Sequence, residues 1–69
     1  MQLKLNKPAP GDTASLMLQT GWSGRAEIGL VGDDDLVVKV SGDGAAWTEA
    51  ARVDHLTGAG AFAGGSLRT

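Results

Sequence analysis

The sequence predicts an all-β chain of short antiparallel strands joined by tight turns that contain Gly and Asp. The chain has 11 Gly and 2 Pro among its 69 residues, and they recur at strand-length intervals. The runs between them alternate apolar and polar side chains, which is the period of a strand with one buried face. Turn-forming residues cluster at positions 7–12, 20–24, 31–35, 41–44 and 57–60. At this length we expect a single β-rich domain over residues 1–69, with five or six strands.

Three strands are predicted in the N-terminal half. Residues 2–6 place Leu3 and Leu5 on one side and polar side chains on the other, which predicts the first strand. Residues 15–20 and 25–30 show the same alternation on either side of a Gly-containing turn. These two runs therefore predict a β-hairpin.

The C-terminal half predicts the strongest strand and two weaker ones. The run Leu36–Ser41 contains three Val, which favour strands, and Gly-Asp turns flank it at both ends. Residues 46–54 fit both helical and alternating spacing, and a strand is favoured because so short a helix is marginal by itself. Phe62 anchors a last short strand, and residues 59–69 are expected to include a loose Gly/Ala-rich tail.

The apolar residues are numerous enough for folding but supply a thin core. Leu, Ile, Val and Phe number 15, whereas 10 residues are Ala and none is Cys. Small folds usually compensate with disulfides, a metal or oligomerisation, and the chain offers few ligands for the first two. We therefore expect an oligomer or a longer parent chain. The residues predicted to form the oligomer core are Leu16, Leu18, Ile28, Leu30, Val38, Val40 and Trp47.

Charge and hydropathy exclude several classes of partner. The net charge of −2 and the pI near 5.0 provide no basic field for phosphates, so nucleic acid and anionic membrane surfaces are poor partners. No apolar run reaches the roughly 20 residues that cross a bilayer, which predicts no membrane insertion. Residues 1–10 also lack the apolar segment of a secretory signal.

Candidates for catalysis or metal binding are few. His55, the single His, follows Asp54, and a triad could draw on Ser15, Ser23, Ser41 or Ser66, but no Ser stands in a G-x-S-x-G context. The run of acidic residues 33–35 could attract Ca²⁺ or serve with Glu27 as acid and base, yet a solvated turn explains it better. Gly-rich residues 58–65 match no phosphate-binding loop. We expect no catalytic residues, no metal site, no cofactor and no enzymatic activity.

Trp22 and Arg25 are the candidate ligand-binding residues. Trp22 lies between Gly21 and Ser23 in a predicted turn, where its ring could pack between chains or stack on a sugar. Arg25 could pair with Glu27 or with an acidic residue of another subunit. A carbohydrate-binding tip is therefore the alternative to a purely structural module.

Three segments resemble a known family. They are GDTASLMLQTGWSGRAEIGL at residues 11–30, GDDDLVVKVSGDGAAWTEA at residues 32–50 and RVDHLTG at residues 52–58. In this order they are similar to the C-terminal module of tail-fibre proteins of tailed bacteriophages, prophages and gene transfer agents. The resemblance covers 45 to 50 residues and brings no catalytic residues with it.

The resemblance implies an intertwined, trimeric β-structure displayed on a virion. The chain would then be made in the bacterial cytoplasm and become a structural component of a phage-like tail fibre. Its expected partners are further copies of itself, other tail or virion proteins, and a host-surface glycan. Composition alone favours oligomerisation and does not choose three copies over two.

Overall fold

The computed structural model describes residues 1–63, and over this range the chain is all-β, as the sequence predicts. Five antiparallel strands form one sheet in the order β1-β2-β3-β4-β5, so each strand pairs with the next along the chain. The strands are β1 (Thr13–Thr20), β2 (Ser23–Val31), β3 (Leu36–Ser41), β4 (Trp47–Val53) and β5 (Gly60–Phe62). Within residues 1–63 no helix is long and apolar enough to cross a membrane.

Four of the predicted strands are confirmed, together with the short strand at Phe62. The third strand has the predicted bounds, Leu36–Ser41, and the ambiguous run 46–54 forms the strand Trp47–Val53. The first hairpin extends beyond its predicted bounds because pairing continues from Thr13 opposite Val31 to the two-residue turn. The strand Gly60–Phe62 occupies the start of the predicted loose tail 59–69. Residues 64–69 of that tail lie outside the described residues.

The strand predicted at residues 2–6 is wrong for the single chain. This segment carries no strand, and Leu3 and Leu5 are 76% and 49% exposed. Alternation supplies an amphipathic surface, but a strand also needs a neighbour for its backbone N–H and C=O groups. Among the described residues, β1 has β2 as its one strand neighbour.

The turns divide the sheet into two ends. At one end, Gly21 and Trp22 connect β1 to β2 with φ of 56° and 67°, the backbone of a type I′ turn. The β3–β4 turn lies beside it, where Ser23 Oγ donates to the carbonyl oxygen of Asp43 at 3.1 Å. The β2–β3 and β4–β5 turns lie at the opposite end, which we call the charged end because residues 33–35 lie there.

Gly29 allows β1 and β2 to approach closely. Its φ of 154° is rarely adopted by residues with a side chain. A Cβ at this position would lie 2.6 Å from Cα of Ser15 and also against the carbonyl oxygen of Ala14. The pairing of these two strands therefore requires glycine here.

Very little of the described chain is buried. Val37, at 1% exposure, is the single buried hydrophobic side chain, and it lies between Gly29 of β2 and Arg52 of β4 in the ladder. Residues 1–63 form one layer, without a second sheet or a helix to cover it. Stable domains ordinarily bury a sheet face against another layer, so this sheet lacks half of a normal core.

Candidate interaction surface

One face of the sheet is apolar from β1 to β5. The strand register places alternate residues of neighbouring strands opposite one another, beginning with Leu16 opposite Ile28 and Ile28 opposite Val38. No Asp, Glu or Lys of the described strands belongs to this face. We call the following residues the apolar face: Ala14, Leu16, Leu18, Ala26, Ile28, Leu30, Leu36, Val38, Val40, Ala51, Val53 and Phe62.

The apolar face is largely open to solvent in the single chain. The exposed fractions are 55% for Leu18, 49% for Leu16, 48% for Phe62, 44% for Leu36, 43% for Val40 and 38% for Ile28. Full burial of one such side chain contributes about 1.5–3 kcal/mol, so covering a half-exposed one gives about 1 kcal/mol. Contiguous apolar surface of this kind marks an interaction site.

The opposite face, which we call the polar face, carries charged and hydrogen-bonded side chains. Ser15 Oγ donates to Glu27 Oε2 at 2.6 Å across β1 and β2. Lys39 lies opposite Glu27 on one side and Glu49 on the other, so opposite charges alternate across the three strands. Val37 is buried within this face. Partner-dependent burial is therefore expected on the apolar face and not on the polar one.

Six of the seven residues predicted for the oligomer core lie on the apolar face, whereas the structure places Trp47 on the polar face. A Cβ at Gly24 would lie 2.8 Å from Cζ2 of Trp47 and 3.0 Å from Sδ of Met17, so both side chains lie over this glycine. Val38 pairs with Ala51 but Lys39 pairs with Glu49, which makes the intervening Ala50 a β-bulge. The bulge reverses the alternation of β4 and moves Trp47 to the other face.

At the charged end, Arg52 links three carboxylates. Its Nη1 donates to Asp33 Oδ2 at 2.9 Å and to Asp35 Oδ2 at 3.1 Å, and its Nη2 donates to Glu49 Oε1 at 2.7 Å. The Arg52 hydrogen bonds hold the pKa of Asp33 and of Glu49 below their ordinary values. The three carboxylates in turn raise the pKa of Arg52. The predicted solvated acidic turn is thus tied to β4.

His55 joins the same cluster through Asp35. The distance from His55 Nδ1 to Asp35 Oδ1 is 2.7 Å, and the His55 main-chain N–H donates to the same oxygen at 3.1 Å. These bonds lower the pKa of Asp35 to about 2, and the carboxylate raises the pKa of His55. Asp54, His55 and Asp35 could present ligand atoms within 4.8 Å of one another. The Asp54 carboxylate already accepts from the amides of Leu56 and Thr57, and Asp35 from Arg52 and His55.

The serines considered for a triad use their hydroxyls elsewhere. Ser66 lies outside the described residues. The other three donate to separate acceptors: Ser15 to Glu27, Ser23 to the carbonyl oxygen of Asp43, and Ser41 to the carbonyl oxygen of Ala46. Within residues 1–63 the structure therefore brings His55 to carboxylates and not to a hydroxyl nucleophile.

Trp22 projects from the hairpin end of the sheet. It is 91% exposed, and its positive φ is unusual for a bulky side chain. Gln19 Nε2 donates to the Trp22 carbonyl oxygen at 3.4 Å, and Gln19, Gly21 and Trp22 line a shallow cleft. The ring is held at the tip with almost no contact to its own chain.

Arg25 is the bulged residue of β2, since Leu18 pairs with Ala26 and Gln19 with Gly24. Its Nη1 donates to Ser23 Oγ at 2.6 Å and to the Gly24 carbonyl oxygen at 3.0 Å. Glu27, the partner considered for it, accepts instead from Ser15. Arg25 therefore reinforces the β2 start beneath the Trp22 turn.

Sequence reasoning missed part of the apolar face. The alternation of residues 36–41 does place Leu36 on the side of Val38 and Val40, but the residues predicted for the oligomer core do not include it. Phe62 joins the face because it pairs with Ala51, which in turn pairs with Val38. The local sequence carries no clear signal for that register.

Comparisons with protein-family models, with curated proteins and with solved structures found no match.

Proposed function

We propose that this chain is a structural module of a phage-like tail fibre that assembles with copies of itself through the apolar face. The observation that carries the proposal is the open apolar face on a sheet whose other face carries the paired charges of Glu27, Lys39 and Glu49. A module of this kind has no chemistry to perform. Its role is to build a rigid shaft or tip on the virion and to connect to other tail proteins.

Copies of the same chain are the best partners for this face. The face carries no Asp, Glu or Lys, so two or more copies can meet there without bringing like charges together. Obligate homo-oligomer interfaces are more apolar than transient ones and resemble a domain core cut in half. The similarity of residues 11–58 to tail-fibre modules favours a trimer.

A matched pair of variants on β1 tests the proposal. Leu16 and Met17 are adjacent and similarly exposed, at 49% and 45%, but they point to opposite faces. Leu16→Lys places a charge on the apolar face, and Met17→Lys places the same charge on the polar face. Analytical ultracentrifugation should show that Leu16→Lys dissociates the oligomer and that Met17→Lys retains it.

Equal behaviour of the two variants would contradict the proposal. If both remain oligomeric, the apolar face is not the interface. If Met17→Lys alone dissociates, the copies meet through the polar face. Circular dichroism of each variant establishes that a strand-rich fold is present in the sample compared.

A specific observation favours a second function, a carbohydrate-binding tip at Trp22. An aromatic ring that is 91% exposed at a turn with φ of 67° is available for stacking on the apolar face of a sugar. Gln19 adds an amide beside the same cleft, which suits a hydroxylated ligand. Such a tip on a fibre would contact a host-surface glycan.

Binding to whole cells and to a glycan array tests this second function. Trp22→Ala should lose binding while the oligomer persists. Leu56→Ala is the matched control, because Leu56 is an 82% exposed apolar side chain in the turn at the charged end. Equal binding by wild type and Trp22→Ala, or equal loss in both variants, would remove Trp22 as the contact.

A further inference from the structure

Residues 2–6, which we call the arm, have the pattern of a strand but no strand neighbour within residues 1–63. Leu3 and Leu5 alternate with Gln2, Lys4 and Asn6. Both leucines are substantially exposed, and the segment forms no ladder with the described strands. An amphipathic segment with unpaired backbone groups gains hydrogen bonds and apolar contacts when it is added to a sheet edge.

Lys7 holds the C-terminal end of the arm at the charged end of the sheet. Its side chain is 7% exposed, and its Nζ forms an ion pair with Asp34 Oδ1 at 3.1 Å. The same Nζ donates to the carbonyl oxygens of Asp33 at 2.6 Å and Pro10 at 2.7 Å. Leu5 lines a cleft with Leu30 of β2, at the charged end. The arm thus starts at the end of the sheet and does not run along its own β1.

The long edge of β1 is the complementary feature. β1 is eight residues long, and among the strands that the structure describes it pairs with β2 on one side only. Every second residue of an edge strand turns its N–H and C=O away from the sheet, and these groups form a template for another strand. β1 also lacks the charged side chains that commonly protect an edge, since its sequence is TASLMLQT.

We propose that the arm of one copy adds as a strand to the β1 edge of a neighbouring copy, an inference that rests on the self-assembly proposed above. Because successive side chains of a strand point to opposite faces, the leucines of the arm and its polar side chains must join opposite faces of the sheet. Leu3 and Leu5 continue the apolar face next to Leu16 and Leu18, while Lys4 joins the polar face. The arm thereby extends the apolar face by one strand and covers an edge that would otherwise attract unrelated strands.

Amide hydrogen exchange of the intact chain tests the inference. Exchange of the arm and of β1 is measured by mass spectrometry at a concentration where ultracentrifugation shows the oligomer, and again after dilution to the monomer. We expect arm amides in the oligomer to exchange at least about tenfold more slowly than in the monomer. Successive residues of an edge strand point their N–H groups alternately towards and away from the sheet, so one of the two variants Lys4→Pro and Leu5→Pro removes a donor that faces β1. That variant should abolish this protection in the oligomer, whereas Lys4→Ala should retain it.

The outcomes separate this inference from the self-assembly proposal. An oligomer whose arm exchanges at the monomer rate overturns strand addition and leaves the apolar interface intact. Arm protection that persists in the diluted monomer also overturns it, because the arm would then pair within its own chain. A chain that stays monomeric at every concentration overturns both.

Discussion

Replacement of Trp22 by Asn should stabilise the fold, even though it removes the largest side chain type in the sequence. Trp22 is 91% exposed, so its ring contributes little packing. Its φ of 67° places it in the left-handed region, which disfavours bulky residues and favours Asn and Gly. Gln19 donates to the main-chain carbonyl of Trp22, and this hydrogen bond does not depend on the ring.

The expected size follows from the backbone. A non-glycine residue in the left-handed region costs about 1–2 kcal/mol, and Asn tolerates that region far better than Trp. With a small loss for the few contacts of an exposed ring, the net gain is about 1 kcal/mol. For a chain of this length that corresponds to a rise in Tm of roughly 4–8 °C.

Urea unfolding followed by circular dichroism measures the change. Wild type and variants are compared at one protomer concentration, because the apparent stability of an oligomer depends on it. Trp22→Val is the control, since it removes the ring and retains a residue that disfavours positive φ. If Trp22→Asn and Trp22→Val lower the free energy of unfolding equally, the ring packs against another chain and the reasoning from strain is wrong.

Three further predictions concern positions within the sheet and at its charged end. Gly29→Ala should lower the free energy of unfolding by about 3 kcal/mol, because the new Cβ would meet the β1 backbone. Gly42→Ala is the control, because a Cβ at Gly42 would have nothing within 4 Å. It should change the free energy of unfolding by less than about 1 kcal/mol in the same urea titration. Val37→Ala should lower it by about 2 kcal/mol, since it removes two methyl groups from the one side chain that is fully buried within residues 1–63 and leaves a gap. No change in the urea midpoint would mean that the polar face has no core. The His55–Asp35 contact should stabilise the fold most between about pH 4 and pH 6.5. The pKa of His55 is raised, so the stabilisation from the charged imidazole is complete below the ordinary value of 6.5 and is lost as pH rises through the raised pKa. The pKa of Asp35 is lowered to about 2, so the stabilisation from the carboxylate is complete above 3.8 and is lost as pH falls towards 2. The stability difference between wild type and His55→Gln, measured across pH, should therefore peak in that window, and a flat difference would contradict the assignment.

The sequence predicts elements well wherever alternation and turn chemistry agree. β3 has the expected bounds because its three Val lie between two Gly-Asp turns. The apolar side of the first hairpin follows from the alternation of Leu16 with Leu18 and of Ile28 with Leu30. Each of these features is local, so a period of two is enough to assign it.

The predictions fail where strand pairing, and not local alternation, determines the structure. The side of Trp47 depends on the bulge at Ala50, which a strict alternation cannot anticipate. Residues 2–6 have the alternation of a strand, but the described part of the chain gives them no strand neighbour. The network of Arg52 and His55 forms because the β2–β3 and β4–β5 turns meet at one end of the sheet. Such contacts depend on strand order, which local patterns do not encode.

The mass of the intact chain in solution tests self-assembly through the apolar face most directly. Sedimentation equilibrium measures this mass without a label. The concentration series should extend above about 1 µM, because a dissociation constant of that size corresponds to a binding free energy of about 8 kcal/mol. We predict a discrete species at three times the 7.0 kDa chain mass, and its conversion to single chains in Leu16→Lys. A folded wild-type chain that remains at 7.0 kDa throughout the series would contradict self-assembly.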